Sequence, residues 1–182
     1  IIGTATVDQL KASTRCRRDM VWALEELLWS EDTFEPAAHL VLRLALTENE
    51  TWSNNATGLW TETFQTMLGR TAAGLEPRLR VLRHAARDAN PDARHLAAVA
   101  LQNALKIGHI TCSGNPPEDI PGMPVQEWRP ATYGEWIDAI LRYLDLVREL
   151  VTDQEPMVRL AAVNALAEAL DAAIKFPRVL PK

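Results

Sequence analysis

Four histidines, two cysteines and a scatter of carboxylates are the groups in this 182-residue chain with the potential to make bonds or hold a metal. His39, His84, His95 and His109 do not form a metal-ligand spacing. His109 and Cys112 stand three apart, but a zinc site needs further ligands of matching spacing, and the two read as separate loop residues. His39 and His84 lie in helical patterns beside apolar residues and read as helix-surface or partly buried packing groups. Glu25, Glu26, Glu62, Asp145 and Glu149 are spread over helical stretches. Asp145 shares a helix face with Glu149 by i, i+4 spacing, and with Arg142 and Arg148 by i, i+3 spacing. That is the pattern of a solvated charged face rather than of an acid–base pair. No phosphate-cradling G-x-x-x-x-G-K loop, no G-x-G-x-x-G and no G-x-S-x-G elbow occurs. The residues therefore offer no catalytic constellation, no cofactor site and no metal site.

Groups suited to binding are easier to find. Arg78, Arg80, Arg83 and Arg87 cluster, and the last three fall on one helical face. Such a row can meet phosphate or an acidic protein surface, or it can be a solvated face that offsets the acidic excess of the chain. Trp22 and Trp29 are seven apart, and with Trp60 and Trp136 they read as core or inter-repeat packing. Trp52 and Trp128 fall in loops instead, where an aromatic side chain is a better binding anchor. The candidate partner-binding residues are thus Trp52, Trp128, Arg80, Arg83 and Arg87.

Hydrophobic residues make up 47% of the chain and charged residues 24%, which is the balance of a packed domain and not of a disordered one. The formal net charge of −5 argues against a nucleic-acid partner, since such modules carry a basic face. No apolar run approaches the ~20 residues that span a bilayer, so no membrane partner is expected. Two distant cysteines make no disulfide framework, which points to a reducing, cytoplasmic setting. The opening IIGTATVDQL has neither an initiator Met nor a basic region followed by an apolar one, and the chain reads as a piece of a longer protein.

The elements that must position these groups come from a duplication. NPDARHLAAVALQNAL ends at Leu105, and EPMVRLAAVNALAEAL ends sixty-five positions later at Leu170. Pro91 matches Pro156, Arg94 matches Arg159, and Ala97, Ala100, Leu101, Ala104 and Leu105 match Ala162, Ala165, Leu166, Ala169 and Leu170. Both copies carry one apolar helical stripe, which the spacing predicts to be buried. Each follows another amphipathic helix, and Asp88 and Asp153 hold equivalent places before the turn. The repeated unit is a helical hairpin. Fainter patterns extend the scheme to four hairpins over 5–29, 35–69, 75–106 and 132–174, in an all-α domain covering 1–182. The stretch TGLWTETFQTMLG reads as helix with Gly69 as its stop. A proline-rich insertion at 107–131 separates the last two hairpins.

The segments Pro91 to Leu105 and Pro156 to Leu170 resemble the second helix of a HEAT repeat, with its proline start, its Val-Arg pair (Val158-Arg159; Ala93-Arg94 in the earlier copy) and its small-residue stripe. The resemblance covers the last two hairpins well and the first two loosely. It implies a right-handed α-α superhelix of HEAT/armadillo-like hairpins whose function lies in what its surface holds. The parts Ala23 to Ser30, Ala38 to Ala45 and Trp52 to Asn54 also resemble a helical repeat region of large bacterial signal-transducing (STAND-type) ATPases. That likeness implies a scaffold or sensor segment without the ATPase engine, binding a protein partner or other domains of its own chain. The competing expectations are a HEAT-like DNA glycosylase, which needs a basic groove with a Trp and a carboxylate converging on it, and a helical domain with a Trp-lined small-ligand pocket.

Overall fold

Side chains that satisfy the free N–H groups of a first turn fix several helix starts in this chain. In the computed structural model, which describes residues 2–52, 55–106 and 126–175, Thr6 and Gln9 form a reciprocal capping box on α1 (Val7–Ala12). Asn55 caps α4 (Ala56–Glu62). Asn90 caps α6 (Pro91–Leu105), whose first position is the proline that needs no donor. Thr132 caps α7 (Tyr133–Leu150). The remaining helices are α2 (Thr14–Trp29), α3 (Glu31–Ala45), α5 (Leu75–Ala86) and α8 (Pro156–Lys175). The described residues are all-helical, with eight helices and no strand. No helix among them is long and apolar enough to cross a membrane.

The helices pack in two runs. α3 contacts α5 and α5 contacts α7; beside them α4 contacts α6 and α6 contacts α8. α2 lies on α3, and within each pair α3 meets α4, α5 meets α6 and α7 meets α8. The closest association is α6 with α8. Both helices are rich in small buried residues: Ala97, Ala98 and Ala100 on α6, and Ala162 and Ala165 on α8, are fully buried. Alanine leaves no side-chain bulk between the axes, so the backbones approach and dispersion contacts multiply. This burial agrees with the duplicated stripe, including Ala97, Ala100, Ala162 and Ala165.

Register between the copies is preserved in polar detail as well. Arg94 Nη1 donates to the carbonyls of Asp88 and Ala89, at 3.0 and 3.1 Å, and Arg159 Nη1 donates to those of Asp153 and Gln154, both at 2.7 Å. Each arginine thereby holds the turn that precedes its own helix. The buried Arg17 does comparable work at the other end. It reaches the carbonyls of Leu10 and Leu44 and the carboxylate of Glu48, and so joins α1, α2 and the end of α3.

Helix α4 departs from the sequence pattern. It ends at Glu62 instead of running to Gly69, and residues 63–74 are irregular, with Leu68 and Arg70 at positive φ. The carbonyls that a continued helix would have paired with its own N–H groups are taken by distant side chains. Tyr143 donates its hydroxyl to Phe64 O at 2.8 Å, and Arg78 donates to Gln65 O at 2.6 Å and Ala73 O at 3.0 Å. At Gly69 a Cβ would fall 2.6 Å from Gln65 O and 2.8 Å from Arg78 Nη1, so only glycine fits.

Candidate functional site

The arginine row is occupied from within. Arg80 on α5 forms a bidentate pair with Glu35 on α3. Arg87, just past α5, pairs with Glu149 on α7 at 3.0 and 2.8 Å. Arg142 on α7 returns the arrangement by pairing with Glu76 on α5. Hydrogen bonds from the arginines are the main reason that Glu35, Glu76 and Glu149 all titrate below the usual carboxylate range. Half-buried Arg83 adds to the field at Glu76 and Glu149. The row that spacing marked as a phosphate or partner contact thus links α3, α5 and α7. A phosphate would have to displace carboxylates already held in planar forks.

Trp128 is also engaged. Residues 107–125 of the insertion lie outside the described residues, but 126–131 run along the irregular segment. Trp128 N–H donates to Thr71 O at 2.8 Å, Glu127 accepts from Arg70 N–H at 3.2 Å, and the Arg78 guanidinium sits 5.0 Å from the indole centroid. Arg78 is fully buried, and loss of solvent depresses its pKa. The same loss of solvent raises that of Tyr143, buried beside it. Beyond the indole lies an open cleft of about 700 Å³ lined by Trp128, Gly74, Glu31, Glu76, Glu135 and Asp138. Two of these carboxylates are already used, Glu76 by Arg142 and Glu135 by the N–H of Ala131. Among the described residues that line it, the cleft holds no nucleophile paired with a base. No group of three metal-ligating side chains occurs among the described residues.

Trp52 is half-buried against the core, donates its indole N–H to Glu50 and lies under Arg18, 4.8 Å from the centroid. Trp22, which the sequence assigned to packing, is instead 51% exposed. Val21, Leu24 and Leu28 take the inward face of α2, and Trp22 is turned about 100° from Val21. His39 and His84 meet edge to face at 4.8 Å between α3 and α5. The candidate residues therefore do not converge. Arg80, Arg83 and Arg87 line one face, Trp128 packs by the α5–α7 cleft, and Trp52 lies near Arg18.

The surface that is left open is on α8. Met157, Leu160, Val163, Leu170 and Ile174 are 60, 56, 52, 62 and 79% exposed. The duplicated stripe placed Leu170 in the core, and here the structure corrects it. Its counterpart Leu105 is fully buried on α6, the helix that receives α8, whereas no described helix covers the same face of α8. A usable signal was present. α8 is apolar on both sides, and a helix that is apolar all round is one that expects cover all round. Against known proteins, no family model, no curated relative and no solved structure matches this chain.

Proposed function

We propose that this chain is a non-catalytic protein-interaction segment, a scaffold or sensor piece of a larger bacterial cytoplasmic protein, built as a HEAT-like right-handed superhelix. The observation that carries this reading is the apolar stripe of α8. Four large apolar side chains, Leu160, Val163, Leu170 and Ile174, each more than half exposed, share one side of a helix whose opposite face is packed. Contiguous exposed apolar surface of this kind marks interaction sites. The superhelix is supported by the two parallel runs of helices and by the sixty-five-residue register of the arginine–carbonyl contacts. Internal pairing of Arg80 and Arg87 favours a protein partner over nucleic acid, because phosphate binding draws on free cationic side chains.

Photo-crosslinking in the cells of origin tests this directly. A photoreactive residue at position 160 or 170 of the natural protein should give discrete adducts, with peptides identified by mass spectrometry, while one at Asp8 on α1 should not. Equal labelling from all three positions, or none from 160 and 170, would overturn the reading.

A further inference from the structure

Arg94 makes two kinds of contact, and its sixty-five-residue counterpart makes only one of them. Both arginines hold their own turn through Nη1. Arg94 also extends Nε and Nη2 into the next hairpin, where the carboxylate of Asp153 accepts both at 2.7 and 3.1 Å from the turn between α7 and α8. For Arg159 the structure gives no acceptor to Nε or Nη2 among the described residues. The apolar surface beside it follows the same rule. Ala98, Leu101 and Leu105 on α6 are fully buried, and their counterparts Val163, Leu166 and Leu170 are exposed, half-buried and exposed. The face of α8 thus repeats, position for position and with Val163 in place of Ala98, the face of α6 that carries Arg94 toward the next hairpin, down to the guanidinium that receives a carboxylate.

We infer that α8 docks a two-helix hairpin of the same kind as α7/α8, whose inter-helix turn presents an Asp or Glu to Arg159. Apolar contact from Val163, Leu166 and Leu170 supplies most of the association, and the charged fork sets the register, as bidentate pairs do. This rests on the reading of α8 as a protein interface and names the partner chemistry.

The probe is this chain's own hairpin. Residues 126–175 are appended after Lys182 of the full chain through a flexible Gly/Ser linker. In a Cys16→Ser, Cys112→Ser background, a Val163→Cys thiol reports whether the face is covered. The appended hairpin should slow thiol labelling about tenfold, the factor that a 1.4 kcal/mol closure would give. Arg159→Gln in the host helix, or Asp153→Asn in the appended copy, should each restore fast labelling, and the double variant should add nothing further. Labelling that stays fast with the appended hairpin present would overturn the inference. So would slowing that is indifferent to Arg159, although photo-crosslinks at 160 and 170 would then still uphold the protein interface. Slow labelling of the unextended chain that rises on dilution would replace the hairpin with a second copy. Protection by lipid vesicles, anionic or neutral, would replace it with a membrane surface.

Discussion

Replacing Trp128 with alanine should weaken the fold considerably, although the residue belongs to a proline-rich insertion. The side chain is half-buried, with the Arg78 guanidinium 5.0 Å from its centroid, and a Cβ placed on Gly74 would meet its pyrrole edge at 3.7 Å. A tryptophan buries ~150–250 Å² when fully enclosed, so half of that at ~25 cal/mol per Å² is about 2–3 kcal/mol. The cation–π contact with a desolvated guanidinium adds ~1 kcal/mol. Truncation also opens the fully buried Arg78 to water on one side, which offsets a little of the loss. The expected destabilisation is about 3 kcal/mol, or a fall of roughly 6–12 °C in Tm for a chain of this size. Urea unfolding followed by far-ultraviolet circular dichroism measures it without relying on tryptophan emission. Trp128→Phe, which keeps a ring over Arg78, should lose less than half as much. If Trp128→Ala unfolds within ~0.5 kcal/mol of the parent, as ordinary surface changes do, the strap does not hold residues 70–74 and the account of the irregular segment is wrong.

Other changes probe the same architecture. Tyr143→Phe removes the donor to Phe64 O and leaves that buried carbonyl unpaired, which should cost about 1–2 kcal/mol in urea unfolding; an unchanged midpoint would mean that water replaces the hydroxyl. Ala100→Leu or Ala165→Leu forces extra volume into fully buried positions of α6 and α8 and should cost ~1–3 kcal/mol, while Ala167→Leu on the exposed face should be nearly neutral. His39 titrates below its ordinary value of 6.5, first because burial disfavours its charged form and then because His84 is close, with Glu35 opposing. The unfolded chain therefore takes up a proton at higher pH than the folded one. The His39 contribution is intact above 6.5 and is lost as the pH falls from there toward the depressed folded value. His39→Gln should flatten the stability profile in that window, and an unaltered slope would assign the acid sensitivity elsewhere.

The repeat was readable because its causes are local. An i, i+3, i+4, i+7 stripe of alanines and leucines needs no partner to be recognised, and the matching of Arg94 with Arg159 and of Asp88 with Asp153 follows from the same register. The end of α4 was not readable. Residues 63–69 keep a helical pattern in Phe64, Met67 and Leu68, but the acceptors of that segment are claimed by Arg78 and by Tyr143, seventy-nine positions away from Phe64. Periodicity also finds an apolar face without saying whether anything covers it, which is why Leu105 and Leu170 looked alike. The arginine row misled for a related reason. Arg80 and Arg87 share a face by spacing, yet Glu35 and Glu149 reach them only once α3, α5 and α7 are laid side by side.

The central claim is that the open face of α8 is covered by protein in the natural assembly, and Val163 and Leu170, which share that face, report on it. Hydroxyl-radical footprinting would compare the isolated chain with the natural protein purified gently together with whatever it holds, using Met67, also exposed, as the internal reference. Oxidation at Val163 and Leu170 should drop severalfold in the natural assembly relative to Met67. Equal oxidation of Val163 and Leu170 in the two samples would contradict the account.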